Sequence, residues 1–246
     1  MQEWHEQDHP RDEDGKFTDK SGAVSTLDPR KIEYRQNTPY SVIMADDRRR
    51  MAEEERRTRK IPQPIVKRGE ELAKIRELTG VDEATAKKYQ ATVFEWTTHP
   101  SDIRNGKDPE EERILEDYIA RSSKYGGKVY RGIAFDERYG KEYLDGLKIR
   151  KNAGIPTDML GISSWSSELE SAEEFALDGH TGFLFEEENK SGAPIAFLSN
   201  FFDEQEVLHS KKTQYLIKSI EKYEVPNKTG KDHRYLYRVI VEETDG

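Results

Sequence analysis

The order of its apolar patterns constrains this chain most, because helical spacing comes first and strand-like runs follow it. From Arg68 to Ser122, apolar residues recur three and four positions apart, as on one face of a helix. From Val129 onward, the apolar runs are short, rich in β-branched and aromatic residues, and separated by Gly, Asn and Lys. Helices that precede strands are typical of an α+β domain, whereas regular alternation indicates a parallel sheet. We therefore expect an α+β fold.

Capping residues set the predicted limits of the helices. Asp82 and Asp108 stand as N-caps before two of them, and Pro109 occupies a first helical position. Gly80 ends the first helix, and His99-Pro100 ends the second. Helices are predicted at 68–79, 83–98 and 108–122, and strands at 128–133, 193–198, 206–209, 214–224 and 234–243.

The first quarter of the chain lacks these patterns. Residues 1–66 contain Asp12-Glu13-Asp14-Gly15, Arg48-Arg49-Arg50 and Ile61-Pro62-Gln63-Pro64, which are typical of an extended segment. Hydrophobic residues make up 33% of the chain and charged residues 36%, enough apolar material for a core of roughly 150 residues but not for the whole chain. We predict an extended, partly disordered leader at 1–66 and one folded domain at 67–246.

Charge and composition exclude several functions. The net charge is −9, and the basic residues cluster mainly in one N-terminal run, so nucleic acid is not an expected partner. The absence of cysteine excludes disulfides, thiolate metal sites and a cysteine nucleophile. No apolar stretch approaches the ~20 residues of a membrane span, and residues 1–5 lack the features of a signal peptide. The compartment therefore stays unassigned.

Three short motifs carry the functional information: Val129-Tyr130-Arg131-Gly132, then Ser163-Ser164-Trp165-Ser166-Ser167, then Asp203-Glu204-Gln205-Glu206-Val207-Leu208. In this order and spacing they resemble the arginine–serine–glutamate family of ADP-ribosyltransferases, which includes cholera-type toxins, clostridial binary toxins and vertebrate ectoenzymes. The resemblance covers about residues 70 to 243. The usual Ser-Thr-Ser is replaced here by Ser164-Trp165-Ser166, and Ala172-Glu173-Glu174-Phe175-Ala176 matches the helix that follows it in the family.

The family resemblance implies a fold and a co-substrate. It implies N-terminal helices followed by two packed, mainly antiparallel sheets around a cleft for NAD, with no metal. Arg131 and Gly132 would contact NAD. Arg131 would bind the phosphates of NAD, since the planar guanidinium group can donate two hydrogen bonds to a phosphate. Ser164 would lie near the nicotinamide ribose and steady the glutamate, whereas Trp165 on the opposite strand face is expected in the core. The alternative for Arg131 is a strand arginine that pairs with a surface carboxylate. The alternative for Ser164 is that its serine cluster only forms a turn and caps the following helix.

Two glutamates separated by one residue are expected on the same face of an extended segment. By resemblance, Glu206 binds the ribose hydroxyl and stabilises the charge that grows as the glycosidic bond breaks. Glu204 engages the acceptor, and Glu-x-Glu in the family usually accompanies modification of arginine. The alternative is a solvated acidic turn, although the apolar run that begins at Val207 makes that less fitting.

Two loops are also expected by resemblance. Residues 179–192 lie where the family has its phosphate–nicotinamide loop, so Phe183 is a candidate for stacking on nicotinamide, as is Phe185, unless both simply anchor the loop. Ser199-Asn200-Phe201-Phe202 occupies the place of the turn that meets the protein substrate, unless its phenylalanines belong to the core.

Two N-terminal patterns stand apart from these motifs. His5-Glu6-Gln7-Asp8-His9 satisfies the zinc-protease pattern H-E-x-x-H, but it has no apolar helix face and runs into Pro10, so we interpret it as a coincidence. The segment from His9 to Phe17 resembles a short motif of bacteriophage head proteins. That resemblance implies a phage-encoded protein, associated with the virion through its leader. The alternative is a tail of no special origin.

The sequence thus predicts a mono-ADP-ribosyltransferase that cleaves NAD, releases nicotinamide and modifies arginine side chains of a target protein. Its predicted catalytic residues are Arg131, Ser164, Glu204 and Glu206. One alternative is an NAD glycohydrolase that uses water as the acceptor. Another is a non-catalytic phage head-associated protein that keeps the fold as a scaffold.

Overall fold

The computed structural model describes residues 66–67, 69–104, 106–199, 204–226 and 233–244. The predictions for the leader, the H-E-x-x-H pattern and the phage-like segment lie outside these residues. So does most of the predicted substrate-facing turn at Ser199-Asn200-Phe201-Phe202, of which only Ser199 is described. Within the described residues, no helix combines the length and the apolar character needed to cross a bilayer.

Four helices come first, as the apolar spacing predicts for three of them. They are α1 (Glu71–Thr79), α2 (Glu83–Thr98), α3 (Pro100–Arg104) and α4 (Pro109–Arg121). The Asp82 carboxylate accepts a hydrogen bond from the Thr85 amide at 2.7 Å, and Asp108 accepts one from the Glu111 amide at 3.0 Å, so both act as predicted N-caps. The short α3 was not predicted, because Pro100 both ends one helix and fits the first turn of the next.

The rest of the described chain contains seven strands and two more helices. They follow in the order β1 (Lys128–Phe135), α5 (Glu137–Ala153), β2 (Ser163–Ser166), α6 (Leu169–Ala176), β3 (Thr181–Glu188), β4 (Ala193–Pro194), a 3₁₀ turn (Ala196–Leu198), β5 (Glu206–His209), β6 (Tyr215–Pro226) and β7 (His233–Glu243). The predicted α+β class is confirmed. The segment 179–192, expected as a loop, instead contains β3, which pairs with β1 on one side and β7 on the other.

The strands form one sheet in the order β4-β5-β2-β1-β3-β7-β6, with antiparallel neighbours except for the parallel pair β3 and β7. Pairing is extensive between β1 and β3 but is confined to Tyr130 and Ser166 between β1 and β2. We call β4-β5-β2 the short limb and β1-β3-β7-β6 the long limb. The two packed sheets expected from the resemblance are thus two limbs joined by a narrow ladder.

The two limbs face one another. His209 on β5 and Glu187 on β3 approach to 3.4 Å between Nδ1 and Oε1, although β2 and β1 stand between their strands in the sheet. Three steps across a flat sheet would separate such residues by about 14 Å. The sheet therefore curls, and its inner surface holds a core that includes Trp165, Phe183 and Val239. A second core joins α1, α2 and α4 to the short limb through residues such as Trp96 and Leu208.

Helix α6 lies directly on the backbones of β1 and β3 because glycine provides the space. A Cβ atom added to Gly132 would lie 1.9 Å from the Ala172 carbonyl oxygen, and one added to Gly182 would lie 1.9 Å from that of Ala176. Neither distance is tolerable for a larger residue. The close approach fixes the face of α6 that borders the cleft described next.

Candidate active site

A cleft of about 300 Å³ lies between the helical layer and the narrow junction of the two limbs. All four predicted catalytic residues and Gly132 line it, among the residues Trp96, Thr97, Pro100, Arg104, Tyr130, Arg131, Gly132, Ile133, Ser164, Trp165, Ser166, Ser171, Ala172, Phe175, Glu204 and Glu206. The structure therefore brings together Arg131, Ser164, Glu204 and Glu206, which come from three separate sequence motifs.

The Glu206 carboxylate is buried and held by two donors. It is 6% exposed, and its Oε1 accepts a hydrogen bond from the indole Nε1 of Trp96 at 3.0 Å. The Ser164 side chain also hydrogen bonds to it. Burial raises the pKa of Glu206 above the ordinary glutamate value, while these two hydrogen bonds and the charges of Arg104 and Arg131 oppose the rise. The site thus holds a poorly solvated carboxylate in one orientation.

Trp96 and Arg104 are functional candidates that the sequence motifs did not reveal. Trp96 lies on the inner face of α2, where it is 1% exposed. Its indole N–H needs an acceptor once buried, and Glu206 supplies one. The Arg104 guanidinium lies over the indole ring, 5.2 Å from the ring centroid. The sequence offers one sign of this role, a tryptophan on the apolar face of a predicted helix, since a buried indole N–H needs a hydrogen-bond acceptor.

Arg131 ties the two limbs together beside the cleft. Its Nη1 donates a hydrogen bond to the Ser164 carbonyl oxygen at 2.5 Å, bridging β1 and β2 where their ladder is narrow. Its Nε is buried and has no hydrogen-bond partner. Burial, followed by the nearby Arg104, lowers the pKa of Arg131 to about 10, so the side chain stays charged at neutral pH. A buried, charged donor without an acceptor suits an anionic ligand.

Glu204 reaches the cleft by a different backbone path from the one expected. Gln205 between the two glutamates has a φ of 48°, in the left-handed region, so the segment is not a simple extended strand. β5 begins only at Glu206. Both glutamates nevertheless line the same cleft. The shared site is therefore produced by a local turn and not by strand alternation.

Ser166 anchors this turn and was not among the predicted site residues. Its hydroxyl donates to the Glu204 carbonyl oxygen at 2.6 Å, and it accepts a hydrogen bond from the Glu168 amide at 2.9 Å. The Ser167 amide donates to the Gln205 carbonyl oxygen at 3.0 Å. The serine motif thus positions the backbone that carries the glutamates, in addition to presenting Ser164 to Glu206.

Three aromatic residues near the cleft differ in their burial and in whether they line it. Trp165 is 2% exposed and packs against the rings of His209 and Tyr215, so it lies in the core as expected, with one edge at the cleft. Phe183, a candidate for stacking on nicotinamide, is 0% exposed between Tyr143 and Tyr237 and does not line the cleft. This differs from the prediction, because the predicted loop is an inner strand whose side chains fill the core. Phe175 lines the cleft and is 55% exposed.

No family model matches the chain, and no curated protein matches it. Solved structures similar to it include the following three. The Vis toxin, an ADP-ribosyltransferase from Vibrio splendidus, has a TM-score of 0.47 and 18% identity, over 76% of this chain and 90% of that chain. Plx2a, an ADP-ribosyltransferase toxin from Paenibacillus larvae, has a TM-score of 0.48 and 16% identity, over 70% and 92%. Exoenzyme S from Pseudomonas aeruginosa has a TM-score of 0.44 and 18% identity, over 72% and 90%.

Proposed function

We propose that this protein is an NAD-dependent mono-ADP-ribosyltransferase that transfers ADP-ribose to an arginine side chain of a target protein and releases nicotinamide. One observation supports this most. The buried Glu206 carboxylate accepts hydrogen bonds from Trp96 and Ser164 and borders a cleft that Arg131 and Glu204 also line. This arrangement agrees with the order of the three sequence motifs.

Glu206 acts on the bond that breaks. When the bond between the nicotinamide nitrogen and C1 of the ribose breaks, its electron pair leaves with nicotinamide and the ribose carbon gains positive charge. A carboxylate held next to that carbon stabilises the charge, and it also accepts a hydrogen bond from a ribose hydroxyl. Because Trp96 and Ser164 already fix the carboxylate, little reorganisation is needed as the charge develops.

The two arginines of the cleft suit the pyrophosphate of NAD. Arg131 has a buried Nε donor without a partner, and Arg104 lines the same cleft. Each guanidinium offers a planar set of donors that matches phosphate oxygens. In this orientation, the phosphates bind near the arginines while the nicotinamide ribose lies against Glu206. The charge of Arg104 acts on the Arg131 guanidinium, and two neighbouring cations are unfavourable without an anion, which favours NAD binding.

Glu204 acts on the acceptor. An arginine guanidinium nitrogen attacks the same ribose carbon, a new C–N bond forms, and the guanidinium must lose one proton. Since the pKa of free arginine exceeds about 12, a carboxylate that orients the guanidinium and takes this proton is required. Glu204 lines the cleft beside Glu206 and is in position for this role. The products are ADP-ribosylarginine, nicotinamide and a proton.

Separate assays of cleavage and transfer test the proposal. The purified chain is incubated with NAD alone and with NAD plus agmatine, and both nicotinamide and ADP-ribosylagmatine are quantified. We expect Glu206→Gln to lose both products by about 10²–10³-fold, because a charge-stabilising group is removed. We expect Glu204→Gln to keep nicotinamide release and lose ADP-ribosylagmatine. Glu174→Gln, at an exposed position of α6, is the matched control and should match the native protein.

The other outcomes favour the alternatives. Nicotinamide release that is unchanged by agmatine or by a protein lysate, with neither acceptor modified, would favour the NAD glycohydrolase. Absence of nicotinamide release from the native chain would favour the non-catalytic scaffold. Equal loss of both products in Glu204→Gln would contradict the division of labour between the two glutamates.

A further inference from the structure

Three ionisable side chains meet in the interior, on a different face of β5 from Glu206. They are Glu187 at the end of β3, His209 at the end of β5 and Glu243 at the end of β7, and one ligand atom of each lies within 4.8 Å of the others. Their exposed fractions are 2%, 0% and 6%. The cleft and the proposed reaction use none of them.

Three polar atoms of this cluster lack a hydrogen-bond partner in the protein. Both carboxylate oxygens of Glu187 are buried and have no hydrogen-bond partner, and neither does Nε2 of His209. Buried carboxylates are normally hydrogen bonded or paired with a cation, because the desolvated charge is otherwise very unfavourable. A carboxyl group with two unsatisfied oxygens, directed at a histidine and a second glutamate, indicates a missing partner.

The missing partner is positively charged. In the described part of the chain, the one ion-pair contact of Glu187 is His209, whose Nδ1 lies 3.4 Å from Glu187 Oε1. Glu243 accepts hydrogen bonds from the amides of Lys190 and Ser191 at 2.8 and 3.1 Å. The Lys190 ammonium group donates to a backbone carbonyl instead. Two glutamates therefore share one interior site in which, among the described residues, neither carboxyl group forms an ion pair with a lysine or arginine.

The distances around His209 match those between ligands of a small metal ion. Its Nδ1 lies 3.4 Å from Glu187 Oε1 and 3.9 Å from Glu243 Oε1. Zinc binds nitrogen and carboxylate oxygen at about 2.0–2.2 Å in a tetrahedron, so neighbouring ligand atoms lie roughly 3.3 Å apart. Calcium requires six to eight oxygen ligands and magnesium a near-ideal octahedron of oxygens, and neither suits this set.

From these contacts we propose that Glu187, His209 and Glu243 form a structural binding site for a divalent transition-metal ion such as zinc. The two carboxylates balance its charge, and the imidazole coordinates it through Nδ1, the nitrogen that faces both carboxylates, in place of the hydrogen bond with the Tyr215 hydroxyl. The family resemblance gives no reason to expect a metal, so the site rests on these residues alone.

The position of the site gives the ion a structural role. Glu187 and Glu243 belong to the long limb of the sheet, whereas His209 belongs to the short limb. The hydrogen-bond ladder between the limbs is narrow, with β1 and β2 paired at Tyr130 and Ser166. An ion bound by all three residues adds a link between the limbs beside that junction, since Glu187 is paired with Val129, the residue before Tyr130. Trp165 packs on the His209 ring and reaches the cleft, so the ion also steadies one wall of the cleft.

Metal binding by the full-length chain tests the site. The protein is stripped with a chelator and titrated with zinc alone against a chromophoric competitor, and bound zinc is counted by elemental analysis. We expect one equivalent for the native chain and at least about tenfold weaker binding for Glu187→Gln. That variant keeps the shape of the side chain and removes a carboxyl group that burial disfavours, so its metal-free form should fold as well as the native protein. Zinc should raise the Tm of the native chain and not that of the variant.

A control variant separates this site from the N-terminal histidines. His5→Gln combined with His9→Gln removes the H-E-x-x-H pattern, and we expect it to keep the equivalent of zinc. Loss of zinc in that double variant, or equal affinity in the native chain and Glu187→Gln, would overturn the proposal. So would absence of zinc binding by the native chain. NAD cleavage is measured separately, and none of the three residues lines the cleft, so failure of zinc binding and failure of NAD cleavage are distinguishable.

Discussion

The indole Nε1 of Trp96 donates a hydrogen bond at 3.0 Å to the Glu206 carboxylate, and the two residues stand 110 positions apart in the chain. This contact joins the helical layer to the first residue of β5. It is buried, so water does not compete for either group. The helices that precede the sheet therefore contribute directly to the state of the proposed catalytic carboxylate.

Replacement of Trp96 tests this dependence. Trp96→Phe removes a donor that lowers the pKa of Glu206, so the pKa should rise further above the ordinary glutamate value. Because the ionised carboxylate is the active form, the acid limb of the NAD cleavage rate should move to higher pH. The rate at neutral pH should fall about tenfold, the usual effect of losing a hydrogen bond to a charged group. The measurement is the pH profile of nicotinamide release.

Phe94 provides the control on the same helix. It is 46% exposed and does not line the cleft, so Phe94→Leu should leave the pH profile unchanged. A Trp96→Phe profile that falls in rate without any shift of its acid limb would show that the indole acts by packing alone.

A second prediction concerns stability. Since burial raises the pKa of Glu206, the folded protein binds this proton more tightly than the unfolded chain does. The stability that this tighter proton binding contributes is fully present below the pKa of Glu206 in the unfolded chain, and it is lost as the pH rises through the pKa of Glu206 in the folded protein. At neutral pH the carboxylate therefore costs stability, and Glu206→Gln should raise the Tm by a few degrees while it abolishes NAD cleavage. Thermal unfolding at pH 7 measures this.

The same experiment at acidic pH supplies its own check. The difference in Tm between the native protein and Glu206→Gln should shrink as pH falls, because the native carboxyl becomes protonated. Glu174→Gln, at an exposed site, should show no difference at either pH. A Tm advantage of Glu206→Gln that persisted unchanged into acid would show that charge burial is not its cause.

The third prediction concerns the packing of α6 against β1. Gly132→Ala would bring a Cβ atom to 1.9 Å from the Ala172 carbonyl oxygen, so α6 must shift away from β1. We expect a loss of about 1–3 kcal/mol in the free energy of unfolding, typical of overpacking, measured by urea denaturation. Gly146→Ala on α5 is the control, since an added Cβ meets nothing within 4 Å there. That variant should gain about 0.4–1 kcal/mol from the helix propensity of alanine.

Local signals predicted some elements well and others poorly. The caps Asp82 and Asp108 marked α2 and α4 closely, because a cap acts within one turn. Helix α5 escaped detection because it buries few side chains, mainly Leu144 and Leu147. Strand β3 was interpreted as a loop because residues 179–192 occupy the place of a loop in the resembled family, and its three final glutamates gave no local sign of a buried strand. Glu186, one of the three, is paired with Lys128 and Arg238, partners that the local sequence does not reveal.

The cleft likewise contains residues that local motifs predicted and residues that they missed. Arg131, Ser164, Glu204 and Glu206 were predicted because each lies in a short motif, and all four line the cleft. Trp96 and Arg104 come from helices about a hundred residues before Glu206, and only the folded chain brings them to it. The turn at Gln205 was also missed, since a positive φ at a residue other than glycine has no clear sequence signal.

The last prediction decides which phenylalanine belongs to the cleft. Phe175 borders the cleft and is 55% exposed, whereas Phe183 is fully buried between Tyr143 and Tyr237. Phe175→Ala should therefore raise the KM for NAD with little change in the free energy of unfolding, because an exposed ring that contacts the ligand is lost. Phe183→Ala should lower the free energy of unfolding by about 3–5 kcal/mol, because it opens a cavity in the core. Steady-state kinetics and urea denaturation on both variants give the comparison. If Phe183→Ala stayed as stable as the native protein and bound NAD more weakly, the ring would belong to the ligand site and its packing between the two tyrosines would not hold in solution.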